Sequence, residues 1–167
     1  VVADPSPALR EVLTQLAQAV GQYEDKASYA EDHDRWSLYH AAMDTSTALP
    51  LLFKAVSLEP DGPLASGVVG DVLERVPGDE RQRWIRLLSP AVRGFSERRA
   101  HDLEVLESLK QGAVSAEAVD DLIASWSDWL QRRAIDATTD QDVLRVVSRK
   151  GRTKKIRQAA VNALRHD

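Results

Sequence analysis

Two stretches of this chain can be laid over one another at a fixed offset. LQRRAIDAT at 130–138 and IRQAAVNAL at 156–164 stand 26 residues apart and match Leu130 with Ile156, Ala134 with Ala160, Ile135 with Val161 and Ala137 with Ala163. A period of that size is too short for a self-sufficient domain, yet it holds two helices and two short turns. Each copy must then bury its apolar face against a neighbour. Small residues such as Ala134, Ala159, Ala160 and Ala163 let the second helix of one copy pack closely on the next. Earlier, WSLYHAAMDT at 36–45 and WLQRRAIDAT at 129–138 share Trp, Ala and Thr at equal intervals, and LASGVVGDV at 64–72 puts Leu64, Val68, Val69 and Val72 at the apolar places. Positions near 41, 68, 134 and 160 therefore read as equivalents.

Apolar residues recur three and four apart along nearly the whole sequence, and no sustained alternation bounded by hairpin dipeptides occurs, so the expected class is all-α. Pro7 to Tyr23 reads as the first helix, with the stripe Leu9, Val12, Leu13, Leu16 and Val20. The acidic EDKASYAEDHD reads as a loop or weak helix end. Helices are expected at Trp36–Met43, Ala48–Leu58 and Leu64–Val76, with EPDGP as a break between the last two. A fifth begins near Asp79 and meets Ser89-Pro90, where a new helix runs to Gln111 and stops at Gly112. Ser115–Trp126, with Ser115 as N-cap, then Ser127–Ala137, Asp140–Lys150 and Thr153–His166 complete the set.

With 167 residues, 43% apolar and 29% charged, the chain can bury the core of one domain. We read residues 1–167 as a single helical-repeat domain, clearest over 36–76 and 116–165, with longer divergent helices over 79–112. A first residue other than Met suggests a segment of a larger protein. The absence of cysteine removes disulfides and thiolate chemistry and fits a reducing, cytoplasmic setting. No apolar run approaches the roughly 20 residues that span a bilayer, and VVADPSPALREV lacks the order of a secretory signal.

From about 116 to 165 the chain resembles HEAT repeats, with a Leu-rich first helix, a polar turn and a second helix of the form apolar-Arg-x-x-Ala-apolar. The likeness is weaker over 36–76. It implies an α-solenoid of stacked antiparallel helix hairpins; an irregular helical bundle is the alternative architecture. It also implies that Arg157 occupies the place of an arginine that pairs with an acidic residue in a neighbouring turn.

SRKGRTKKIR at 148–157 concentrates charge. From Arg145 to Arg157 there are seven cations and no acid, against a net charge of −4 overall, so the remainder carries −11. Arg149 and Lys150 suit a helix C-terminus whose start holds Asp140 and Asp142. Arg152, Lys154 and Lys155 instead crowd the positive start of the last helix, where each cation costs roughly 0.3–1 kcal/mol. In stacked repeats Asp128 would lie beside Arg152 and neutralise it internally. Otherwise an external anion is called for. The expected contact set is Arg149, Lys150, Arg152, Lys154, Lys155 and Arg157, with Trp126 and Trp129 as neighbours. A protein partner with an acidic surface is the first choice and nucleic acid the second.

No linear motif for catalysis emerges. His33, His40, His101 and His166 form no i, i+4 pair, and no phosphate loop or nucleophile elbow is present. No metal, cofactor, membrane or small-molecule substrate is assigned, and a non-catalytic scaffold is expected. The tail is also similar in style to HEAT-like alkylpurine DNA glycosylases; Trp126, Asp128 and Trp129 are the residues that likeness would recruit to a base-excision site. The expectation against it is that Trp126 and Trp129 cover a repeat junction.

Overall fold

The computed structural model describes residues 4–25 and 27–165. Among these there are ten α-helices and no strand, so the all-α expectation holds. The chain divides into two compact units, one through Ala100 and one from His101 onward.

In the first unit α1 (Pro7–Ala19) is capped by Ser6, whose side chain accepts from the Leu9 amide. It buries Leu9, Val12, Leu13, Leu16 and Ala17, the stripe set by its 3.6-residue repeat. The helix stops short of Tyr23 because Gly21 takes a φ of 73°, a left-handed turn that glycine reaches without a Cβ penalty. Next, α2 (Asp32–Met43) starts four residues before Trp36, inside the acidic stretch read as loop. Carboxylates at Asp32 and Asp34 suit a helix start. A 3-10 turn at Ser46–Ala48 leads into α3 (Leu49–Leu58), and α4 (Gly62–Val72) follows. The EPDGP break serves also as a start signal: Asp61 accepts from the Leu64 amide, and Pro63 sits in the first turn.

Packing in this unit alternates: α1 lies on α3 and α2 on α4, and α1 to α4 each also touch their neighbour in sequence within that set. Of the places proposed as equivalents, Val68 is fully buried, but at the α2 position it is Ala42, not Ala41, that is fully buried. The α2 match is displaced by one residue. After a 3-10 turn at Gly78–Glu80, α5 (Arg81–Ile85) is a single short turn. Arg81 is held inward by a bond from Nε to the Leu73 carbonyl, 3.1 Å, and Pro90 disfavours helical backbone at Ser89. Pro90 then opens α6 (Pro90–Lys110), which carries the chain into the second unit.

The second unit contains α7 (Ala116–Leu122), a 3-10 turn at Ile123–Ser125, α8 (Asp128–Ala137), α9 (Gln141–Lys150) and α10 (Lys154–Arg165). The expected end at His166 lies outside the described residues. Alternate packing recurs, with α7 on α9 and α8 on α10. Two of the four pairs in the 26-residue match share their burial, while Ile135 and Ala137 are buried and Val161 and Ala163 only half-buried. Leu130 and Ile156 are both buried, and Ala134 and Ala160 are fully buried. The caps match too: Ser127 accepts from the Leu130 amide at 3.1 Å and Thr153 from the Ile156 amide at 3.2 Å.

Candidate functional site

The basic corner is built where α9 ends and α10 begins. Gly151 turns the chain there because nothing larger fits: a Cβ would stand 2.7 Å from the Val147 carbonyl oxygen and 2.8 Å from Ile156 Cγ2. Beneath the corner lies Gln131, 1% exposed on α8. Its Nε2 donates to the carbonyls of Ile123 (2.9 Å) and Trp126 (3.2 Å), and its Oε1 accepts from the Arg152 amide at 2.8 Å. One carboxamide thus ties its own turn to the following one.

Arg152 is largely consumed by the same junction. Its guanidinium donates to Asp128 Oδ1 at 3.2 Å, to the Trp126 carbonyl at 2.7 Å and to the Ala124 carbonyl at 3.2 Å. The neighbouring-turn pairing with Asp128 anticipated from the repeat is therefore present. Lys150 reaches Asp120 Oδ2 on α7 at 2.6 Å, a contact that the helix-dipole reading did not require. Arg145 pairs with Asp142 one turn before it on α9. Arg157 donates through Nη1 to the Gly151 carbonyl at 2.6 Å, not to an acidic side chain as the HEAT likeness implied. These ion pairs are half-exposed, and such pairs contribute at most about 1 kcal/mol each.

Arg149, Lys154 and Lys155 remain. All three are exposed, and none has an ion pair among the described residues. The two tryptophans separate as well. Trp126 is 6% exposed, so its ring closes the junction and is not available to a partner, a correction to its place in the expected contact set. Trp129 is half-buried, with the Arg133 guanidinium 5.0 Å from its ring centroid. With Asp128 engaged by Arg152 and Trp126 turned inward, the three residues named for base excision do not present a common open face.

The polar cluster that sequence reasoning missed is in the first unit. Arg35 and Glu59 form an ion pair whose side chains are both 0% exposed. Nε donates to Oε2 at 3.0 Å and Nη2 to Oε1 at 3.2 Å, while Nη1 donates to the carbonyls of Tyr29 and Ala30, each at 2.9 Å. Glu59 also accepts from the Tyr39 hydroxyl at 2.7 Å and from the Asp61 amide at 3.1 Å. Tyr29 has a φ of 50°, an unfavourable conformation for a non-glycine residue that aims two successive carbonyls at one guanidinium. Burial, then the adjacent Glu59 charge and its hydrogen bond, push the Tyr39 hydroxyl far above the ordinary tyrosine range. Burial also raises Tyr29, and a hydrogen bond to Asp25 raises Tyr23. A signal was available: Arg35 lies four residues before Tyr39, on the side of α2 that carries Leu38 and Ala42. Every group in this cluster is matched within the fold, which marks it as architectural.

Among the described residues no three His, Cys, Asp or Glu side chains gather as a metal site, and no helix is long and apolar enough to cross a membrane. No protein-family model, curated protein or solved structure matches this chain.

Proposed function

We propose that the chain is a non-catalytic binding module with α-solenoid architecture that engages an acidic protein surface through the α9–α10 corner. Support for the architecture comes from the alternate packing, α1 on α3 and α2 on α4 in one unit, α7 on α9 and α8 on α10 in the other. First helices stacking on first helices, and second on second, is the arrangement of stacked hairpins.

The observation that carries the functional reading is a division of labour among neighbouring cations. Arg145, Lys150 and Arg152 have acidic partners, whereas Arg149, Lys154 and Lys155 have none among the described residues. Lys154 and Lys155 stand in the first turn of α10, where the helix dipole opposes them by roughly 0.3–1 kcal/mol each. An acidic partner surface converts that cost into attraction and steers the approach.

The test is a charge reversal of the three free cations, Arg149→Glu, Lys154→Glu and Lys155→Glu together, read by quantitative capture from extract alongside circular dichroism. Acidic proteins should be retained by the wild type and lost by the variant at unchanged helicity. An unaltered binding profile rejects the reading. A gel shift with a DNA duplex and an RNA strand at two salt concentrations addresses the second partner class: retention at low salt together with loss of protein binding transfers the corner to nucleic acid.

A further inference from the structure

Position 131 of α8 and position 157 of α10 are equivalents at the 26-residue offset, and each reaches back to the turn preceding its own helix. Gln131 donates to the Ile123 and Trp126 carbonyls, and Arg157 donates to the Gly151 carbonyl. The resemblance ends at the other half of the side chain. The Gln131 carboxamide oxygen accepts the Arg152 amide and so receives the next turn. A guanidinium has no acceptor. Arg157 therefore cannot repeat that link; on the corresponding flank of α10 it offers N–H donors and positive charge in place of a carbonyl oxygen.

Burial changes in step with that exchange. Gln131 and Ile135 are buried on α8, while their equivalents Arg157 and Val161 are only half-buried on α10. Helical spacing puts Lys154, Arg157, Val161 and Arg165 along one stripe, three or four residues apart. Every formally charged residue of α10 is basic, Lys154, Lys155, Arg157 and Arg165, and no acid occurs between Asp142 and the end of the helix. A second copy of α10 would bring cations onto cations. An acidic segment would bring acceptors to donors.

We infer that this flank of α10 is the seat of an acidic peptide segment of the partner, its carboxylates on Lys154, Arg157 and Arg165 and an apolar side chain over Val161. The inference rests on the proposed acidic-partner reading and adds where the partner's chain lies. Carboxylate to guanidinium is the strong, bidentate form of this contact.

The probe is a synthetic helix-forming peptide of Glu, Ala and Leu, titrated into the isotope-labelled chain and followed by amide and arginine Nε–H resonances, with Gln-for-Glu and Ala-for-Leu peptides as controls. Shifts should centre on Lys154, Arg157, Val161 and Arg165. Arg157→Gln, which restores the α8 chemistry, should weaken binding about three- to tenfold, and Val161→Glu should abolish it. Equal binding of the Ala-for-Leu peptide, or indifference to both substitutions, overturns the inference. If Lys155→Gln and Arg149→Gln weaken binding while the stripe variants do not, the stripe is wrong and the corner stands. An acidic peptide that binds nowhere on the second unit removes both.

Discussion

Glu59→Gln changes one oxygen to an amide and keeps the shape of the side chain. Its cost can be worked from the four bonds that Glu59 accepts, two from Arg35, one from Tyr39 and one from Asp61. Either placement of the new NH2 sets it against donors. At the Oε1 position it faces Arg35 Nη2 and the Asp61 amide. At the Oε2 position it faces Arg35 Nε, and only the Tyr39 hydroxyl can turn round to accept. The larger loss is electrostatic, because Arg35 keeps its charge with the guanidinium out of water and no counter-ion. Breaking a buried pair from one side costs about 3–5 kcal/mol, a large share of the roughly 5–15 kcal/mol that stabilises a domain. With a urea m-value of about 2 kcal/mol/M, the unfolding midpoint of the first unit should fall by about 1.5–2.5 M. Urea titrations followed by circular dichroism and by amide signals of α1 and α2 measure this. Arg35→Met should cost a similar amount, and the double variant should fall short of the sum by about 2–3 kcal/mol. A Glu59→Gln penalty below about 1 kcal/mol, the scale of an ordinary exposed pair, would refute the reasoning.

Further expectations concern the same cluster and the second unit. Tyr39 holds its proton in the fold far above the unfolded value of 10.0, so the unfolded chain binds fewer protons above that pH and stability must fall as pH rises past it; phenolate absorbance should show Tyr39 ionising only with unfolding, and Tyr39→Phe should flatten the alkaline decline. Gln131→Leu leaves the Arg152 amide without its acceptor, while the Ile123 and Trp126 carbonyls keep the Trp126 amide and the Arg152 guanidinium, and should cost about 1–3 kcal/mol in chemical denaturation, with the loss of protection from hydrogen exchange centred on Arg152. Gly151→Ala forces a methyl against Val147 and Ile156 and should cost about 1–3 kcal/mol with little change in helicity. Lys150→Ala, which removes a half-exposed pair, should change stability by less than about 1 kcal/mol.

Much of the fold was legible because its determinants are local. Ser115, Ser127 and Asp140 read as helix starts and act as caps, and the apolar stripes of α1 and α8 follow from spacing alone. The link from Arg152 to Asp128 was legible through the repeat, which places one turn beside the next. What escaped depends on contacts between distant residues. Arg35 belongs to a class that is rarely buried, and its burial is tolerable because Glu59, 24 positions away, supplies the counter-charge beside the Tyr29 and Ala30 carbonyls. The start of α5 is anchored where Arg81 turns back to the Leu73 carbonyl, a contact no local pattern announces. The basic stretch looked uniform in sequence, yet its members separate into paired and free only once α7 and α8 supply Asp120 and Asp128.

The shared carboxamide at position 131 also limits how the length of this part of the chain can vary. One residue added between Asp140 and Gly151 rotates α9 by about 100° and draws the Arg152 amide away from its acceptor. An inserted copy of residues 131–156 would bring its own glutamine and its own turn, whereas a copy of the α10 stretch would bring Arg157, which has no acceptor for the next turn. A change of length here is therefore tolerated only where the inserted stretch carries a glutamine to receive the turn that follows it.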